Sequence, residues 1–320
     1  MSQSFLSIQE PAAPRFDVPV PMSGYRWWYL DGLAEDGRQG IVVIAFIGSV
    51  FSPYYFAARR KGPTNPEHYC AINIGLYRPG GKRWAMTERG SADVGRGPDW
   101  FSVGPSALRW RDDALEVTVR ERSMPIPRSL IGRIVVTPNE LNGVGYQLDR
   151  AGDHTWRPIA PSARIDVRFE QPKLAWTGTG YLDTNAGPRT LEHDFAGWNW
   201  SRRHDKTAAE ITYAVTERDG YQRALALRCA PGAAPRQSVV PALTDLPPTG
   251  WRIRRPTRTD GKPEVLETLE DTPFYARSVL LDQHEGEPVH VMHEALSLTR
   301  FQKSWVRGLL PFRMPRVARR

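Results

Sequence analysis

Asp183 follows Tyr181 by two residues in the stretch GYLDTN, and His154 precedes Trp156 by two in DHTWRPIAPSAR. On a strand, residues two apart leave the same face, so Tyr181 and Asp183 are expected to point the same way. One carboxyl group among rings has a specific chemistry. In water its pKa of about 3.9 leaves it ionised. Apolar and aromatic walls disfavour the charged form and raise the pKa, so a buried Asp183 can hold a proton near neutral pH and donate it. A cation facing the ring of Trp156 or Tyr181 gains about 2 kcal/mol once water is excluded. His154 is open to three roles: bonding the acid, placing a water, or taking that water's proton. The plainer alternatives are a turn-capping or surface Asp183, a loop His154, and Trp156 and Tyr181 as core residues.

Further clusters supply walls and reserves. GYRWWYLDG holds Trp27, Trp28 and Tyr29, which are expected to line a pocket, together with Asp31. HDFAGWNWSRR holds Trp198 and Trp200, expected to do the same, with His193 and Asp194. Asp31, His193 and Asp194 are reserve acid–base candidates, and Asp194 has the alternative of pairing with Arg202 or Arg203. No Ser-His-Asp set, phosphate loop or dinucleotide fingerprint occurs, which leaves hydrolase, kinase and dehydrogenase readings without support. Cys70 and Cys229 fit no metal motif and read as buried thiols. Neither a metal nor a cofactor is expected.

The blocks GYxWWYxD, HxWxPxAPxAR, WxGxGYxDxN, LExxF and WxWxR follow one another between about residues 24 and 202. In that order they resemble the carotenoid 1,2-hydratases, also called hydroxyneurosporene synthases. The resemblance implies a cofactor-free hydro-lyase that adds water across the terminal C1–C2 double bond of acyclic carotenes such as neurosporene or lycopene. It implies functional roles for His154, Trp156, Tyr181 and Asp183, and two lipocalin-like β-barrels. Hydrating such an alkene requires a proton first and water second, the order a neutral Asp183 would serve. The competing reading is a non-catalytic lipocalin-like carrier of a lipid or pigment.

The elements that must position these residues are mostly strands. Strand patterns occur at residues 41–47, 70–77, 114–121, 132–138, 163–170, 210–217, 222–228, 265–270, 275–281 and 289–298. Several alternate apolar and polar residues, as strands with one wet face do. Helical pattern is confined to residues 52–60 and the C-terminal tail. The expectation is an all-β chain of two successive lipocalin-like antiparallel β-barrels. An N-terminal extension spans residues 1–23, the barrels residues 24–188 and 189–299, and a short basic amphipathic tail residues 300–320.

The formal charge of the 320 residues is +8. The tail carries Arg300, Lys303, Arg307, Arg313, Arg316, Arg319 and Arg320 without an acid, interleaved with Phe301, Trp305, Leu309, Leu310, Phe312 and Met314. Basic residues among bulky apolar ones suit an anionic membrane surface. No nucleic-acid-binding pattern supports the other use of such charge. No run of about eighteen apolar residues is present, and the first residues lack the pattern of a secretory signal. The expected location is therefore cytoplasmic, peripheral on the inner or intracytoplasmic membrane, with contacts to other carotenoid-pathway enzymes.

Overall fold

The computed structural model describes residues 5–205, 207–284 and 286–317. Arg319 and Arg320 of the expected tail, and residues 1–4 of the expected extension, lie outside the described residues. The chain forms two compact units. One comprises Ser7–Tyr146, Asp153–Thr190 and residues 308–317; the other comprises residues 5–6, Gln147–Gly152 and Leu191–Arg307. Both are built of strands, as the all-β expectation required.

The larger unit is organised by one long sheet. Its central strands, in spatial order, are Cys70–Arg78, Gly40–Ile47, Tyr25–Ala34, Leu174–Gly187, Thr155–Gln171, Ser129–Pro138 and Ala114–Arg122. Neighbours among them pair antiparallel. The sheet curls so that Trp100–Val103, near one end, touches Cys70–Arg78 near the other. Inside the curl lies one apolar core, with Ile72, Val43, Leu30, Leu182, Ile165, Ile134 and Val117 drawn from the seven central strands. Close approach of two strands requires Gly178, where a Cβ would stand 2.0 Å from the Leu33 carbonyl oxygen.

The smaller unit has a seven-stranded sheet in the order Arg236–Gln237, Gln222–Cys229, Ala209–Glu217, Phe195–His204, Glu287–Ser297, Tyr275–His284 and Glu264–Asp271. Among the described residues its apolar clusters include Leu246, Leu280 and Val291, and Ile253, Ala276 and Ala295. Charged groups lie beside them. Arg203 bonds Glu210 through Nε at 2.9 Å, and its Nη1 lies 3.5 Å from Asp282. These line a cavity of about 220 Å³ with Ser201, Thr212 and His284.

The stretches expected outside the barrels are built into the fold. Ser7–Gln9 pairs with Val144–Gln147, and Phe16 is buried in the core of the larger unit. The tail forms helical turns at Leu298–Phe301 and Ser304–Leu309, then a strand at Arg316–Val317 beside Glu88–Arg89. Phe301, Val306, Leu310 and Met314 are buried, while Trp305, Leu309 and Phe312 remain exposed. Its charges are partly used internally. Arg313 lies over the Trp84 ring at 4.4 Å, and Arg316 bonds Glu88 and the His68 carbonyl. Cys70 and Cys229 are buried free thiols, as expected, and burial raises both pKa values, that of Cys229 to about 12. Among the described residues no helix is long and apolar enough to cross a membrane.

One buried group links this fold to pH. His293 is fully enclosed, its Nε2 3.1 Å from the Pro256 carbonyl oxygen, and burial lowers its pKa to about 4. The unfolded chain takes up this proton near pH 6.5, to within about a unit, whereas the fold excludes it until about pH 4. Stability is therefore unaffected by His293 above the unfolded value, falls as pH drops through the window between the two values, and levels off below it. Urea unfolding at about pH 7 and pH 5 should show a loss of roughly 2 kcal/mol that His293→Gln removes. An equal loss in the variant would assign it to other groups.

Candidate active site

Alternation on three neighbouring strands creates the site. Along Tyr25–Ala34, Trp28, Leu30 and Ala34 enter the core of the larger unit. Tyr25, Trp27, Tyr29 and Asp31 therefore leave the opposite face. Along Leu174–Gly187, Trp176 and Leu182 face the core, so Tyr181, Asp183 and Asn185 join the second set. Register aligns these residues in rungs: Tyr181 opposite Asp31, Asp183 opposite Tyr29, Asn185 opposite Trp27 and Gly187 opposite Tyr25. Trp156 is opposite Asn185 from the other side.

Asp183, Tyr181 and Trp156 are joined directly. The Trp156 indole Nε1 and the Tyr181 hydroxyl each donate to Asp183 Oδ2, both at 2.8 Å. Asp183 is only 4% exposed, and Tyr181 and Asp31 are fully buried. Burial is the first cause holding the Tyr181 phenol well above its ordinary pKa, followed by the charge Asp183 carries when ionised, the hydrogen bond to Asp183 and the charge of Asp31. Tyr181 thus remains a neutral donor across the physiological range. With two donors on Oδ2, the proton of a neutral Asp183 belongs on Oδ1.

His154 is also fully buried and hydrogen-bonds the Tyr25 hydroxyl through Nδ1 at 2.9 Å. The His154, Tyr25 and Trp27 rings form a stack, with centroids 5.8 Å and 4.9 Å apart. Trp27 continues to Phe46 at 6.0 Å, and Phe46 to Phe51 at 6.1 Å. The His154 imidazole is therefore accompanied by a run of aromatic rings. Gly187 makes room for the stack, because a Cβ there would stand 2.6 Å from His154 Nδ1 and 2.9 Å from Tyr25 Cε1.

Several expected site residues fall elsewhere. Trp28 does not line this face. It points into the core, with its ring 4.8 Å from Phe16 and 5.6 Å from Phe101, because it is one residue out of phase with Trp27 and Tyr29. Trp198 and Trp200 belong to the smaller unit, where both are buried and Trp198 is 6.3 Å from the Tyr213 ring. They share a sheet face with Glu294, which accepts from Arg277 Nε at 2.8 Å. His193 is an exposed residue 3.2 Å from Asp194, on the short turn Leu191–Asp194. The described bonds of Arg203 go to Glu210 and Asp282 rather than to Asp194. Tyr25 also belongs to this face, and its two-residue phase with Trp27 and Tyr29 is the sequence signal for it.

Among the described residues outside this site, one group of side chains has metal-capable donors. Donor atoms of Asp205, Glu210 and His284 lie within 4.8 Å of one another. Arg228 Nη1 already lies 2.5 Å from Glu210 and 3.3 Å from Asp205, so a guanidinium supplies the positive charge there.

Gly187→Ala tests the stack independently of the acid. The added methyl is expected to break the Tyr25–His154 bond, lower stability by about 1–3 kcal/mol and reduce turnover in a protein that still folds. Histidine-ring NMR should show one imidazole displaced. An unchanged histidine spectrum with wild-type activity would contradict the packing described for His154.

Residues 43–320 match the family model described as Carotenoid hydratase CrtC. The acyclic carotenoid 1,2-hydratase of Thiocapsa roseopersicina is 46% identical over 312 residues, covering 96% of this chain and 77% of that protein. Solved structures resemble the fold at much lower identity. A putative AttH from Nitrosomonas europaea aligns with TM-score 0.58 at 13% identity, over 85% of this chain and 92% of its own. Kievitone hydratase from Nectria haematococca aligns with TM-score 0.54 at 11% identity, over 89% of this chain and 92% of its own. The rungs around Asp183 thus belong to a chain that is a member of the acyclic carotenoid 1,2-hydratase family, a family of hydro-lyases.

Proposed function

We propose that this protein hydrates the terminal C1–C2 double bond of an acyclic carotene, neurosporene or lycopene, with Asp183 as the acid. The observation that carries this reading is a buried carboxyl group whose Oδ2 is held by Trp156 and Tyr181. Burial and the nearby Asp31 charge oppose ionisation, while the two donated bonds favour it. The reading requires the first pair to prevail, leaving the proton on Oδ1.

The reaction balances with protein groups and water alone. The alkene π pair takes the Oδ1 proton at C2, leaving a tertiary cation at C1 and a carboxylate at Asp183. A water oxygen then forms the C1–O bond, and its surplus proton returns to the carboxylate. Protonation at the less substituted carbon follows from the greater stability of a tertiary cation. Trp156 and Tyr181 offer π faces to that cation. His154, fixed by Tyr25, is assigned to orient the water. No cofactor enters this sequence.

A carotene is held in lipid, so the reading includes a peripheral position on the cytoplasmic side of an anionic inner or intracytoplasmic membrane. There the product would also be accessible to other carotenoid-pathway enzymes.

Asp183→Asn should leave the fold intact and reduce turnover by at least about a thousandfold, the scale of a lost general acid in a site without a substitute. Incubating lycopene with the wild type in D2O should give a 1-hydroxy product carrying one deuterium at C2. Wild-type turnover in Asp183→Asn would remove Asp183 from the mechanism. Binding of unchanged lycopene, with no mass gain of one water, would favour a carrier.

Asp31→Asn keeps the shape and removes the second charge. If Asp31 opposes ionisation of Asp183, the high-pH limb of the rate profile should move to lower pH by up to about one unit, with the plateau rate preserved. An unmoved limb would separate Asp31 from the acid.

A further inference from the structure

Trp251 and Trp305 are 44% and 48% exposed, yet their rings stack on one another with centroids 6.1 Å apart and planes inclined by 26°. They are far apart in sequence and belong to the same compact unit. Their exposure is enforced by the chain. Beside Trp251, Arg252 occupies the left-handed region at φ 57°, a conformation disfavoured for a non-glycine residue. The Arg252 amide donates to the Thr249 carbonyl at 2.8 Å, and the Trp251 amide lies 3.2 Å from Asp271 Oδ2. Arg300, at the start of the tail, donates through Nη1 to the carbonyls of Trp251 at 2.7 Å and Arg252 at 3.2 Å. Buried Ile253 anchors the turn from the other side. The Trp251 turn and the tail segment carrying Trp305 are thereby tied together.

Cations flank both rings in sequence. Arg252 and Lys303 are exposed, and the Arg254 side chain is 82% exposed, with Asp245 3.5 Å away. We propose that the Trp251–Trp305 pair, with Arg252, Arg254 and Lys303, docks this protein on an anionic lipid interface. The inference deepens the reading of a lipid-held substrate and rests on it. Indole rings favour the boundary between headgroups and acyl chains, and each nearby cation adds attraction to an anionic leaflet. A protein partner fits less well, because the centres of protein interfaces favour tryptophan but are depleted in lysine. The contact surface is therefore more specific than a basic tail. Several of the tail's own apolar and basic side chains are already packed or bonded, and the new contributor, Trp251, comes from outside it.

The test is flotation of the full-length protein with carotene-free vesicles of phosphatidylcholine, with and without phosphatidylglycerol. The wild type should float with the anionic vesicles. W251A/W305A should lower partitioning roughly tenfold or more, and R254E/K303E should lower it several-fold while flattening its salt dependence. Brominated phosphatidylglycerol should quench wild-type tryptophan fluorescence, and W251F/W305F, which retains ring packing, should remove that quenching. Wild-type partitioning by W251A/W305A, persistent quenching in W251F/W305F, or failure of the wild type to bind either vesicle would overturn the proposal. Detergent-dispersed lycopene separates docking from chemistry. W251A/W305A should turn it over like the wild type, and loss of turnover there would contradict a purely docking role. If the hydration reading itself failed, the carotene-free flotation would still report on the dock.

Discussion

Two donors converge on one oxygen of a carboxyl group that is nearly sealed from water. Trp156 can only donate through its indole nitrogen, and burial keeps the Tyr181 phenol protonated, so both bonds to Asp183 Oδ2 have fixed direction. This convergence gives the two carboxyl oxygens different tasks. Oδ2 anchors the group, and Oδ1 is left to carry a proton in the neutral form. In the proposed hydration, such asymmetry would let Asp183 act as acid in the first half and as base in the second. It also holds Asp183 against Trp156 and Tyr181, the rings that the proposed mechanism sets beside the developing positive charge.

The sheet achieves this by using both of its faces. Leu30, Leu182 and Ile165 fill the core on one side, while Tyr29, Asp183 and their neighbours occupy the other. Because strand side chains alternate with period two, slipping Leu174–Gly187 by one residue would send Asp183 into the apolar core and bring Leu182 to the site. Apolar packing on the core face therefore fixes the register of the face that carries Asp183. Thr184 adds a local lock by donating to the Trp27 carbonyl at 2.8 Å. Gly178 and Gly187 complete the arrangement at places where a side chain would collide with backbone or with His154.

Much of this was legible in the residues. The alternating runs at residues 114–121 and 163–170 marked strands, and the spacing of Tyr181 and Asp183 correctly placed them on one face. Tyr25–Ala34 was less clear, because a strand buried on both faces has no apolar–polar alternation to reveal it. That is why Trp28 looked equivalent to Trp27 although it packs against Phe16 and Phe101. Composition also described the tail without its bonding. Nothing in the order of residues shows that Arg316 will meet Glu88, or that Arg300 will hold the turn at Trp251. The approach of Asp205, Glu210 and His284 was hidden for the same reason: His284 comes from a strand more than seventy residues later.

The protonation state of Asp183 is the quantity on which the chemical account turns. Infrared difference spectroscopy between the wild type and Asp183→Asn, recorded at neutral pH in H2O and D2O, reads it directly. The account predicts a protonated-carboxyl C=O band in the wild type that shifts in D2O and is missing from the variant. A wild-type spectrum showing only the carboxylate stretches for this residue, both with and without bound carotene, would contradict it.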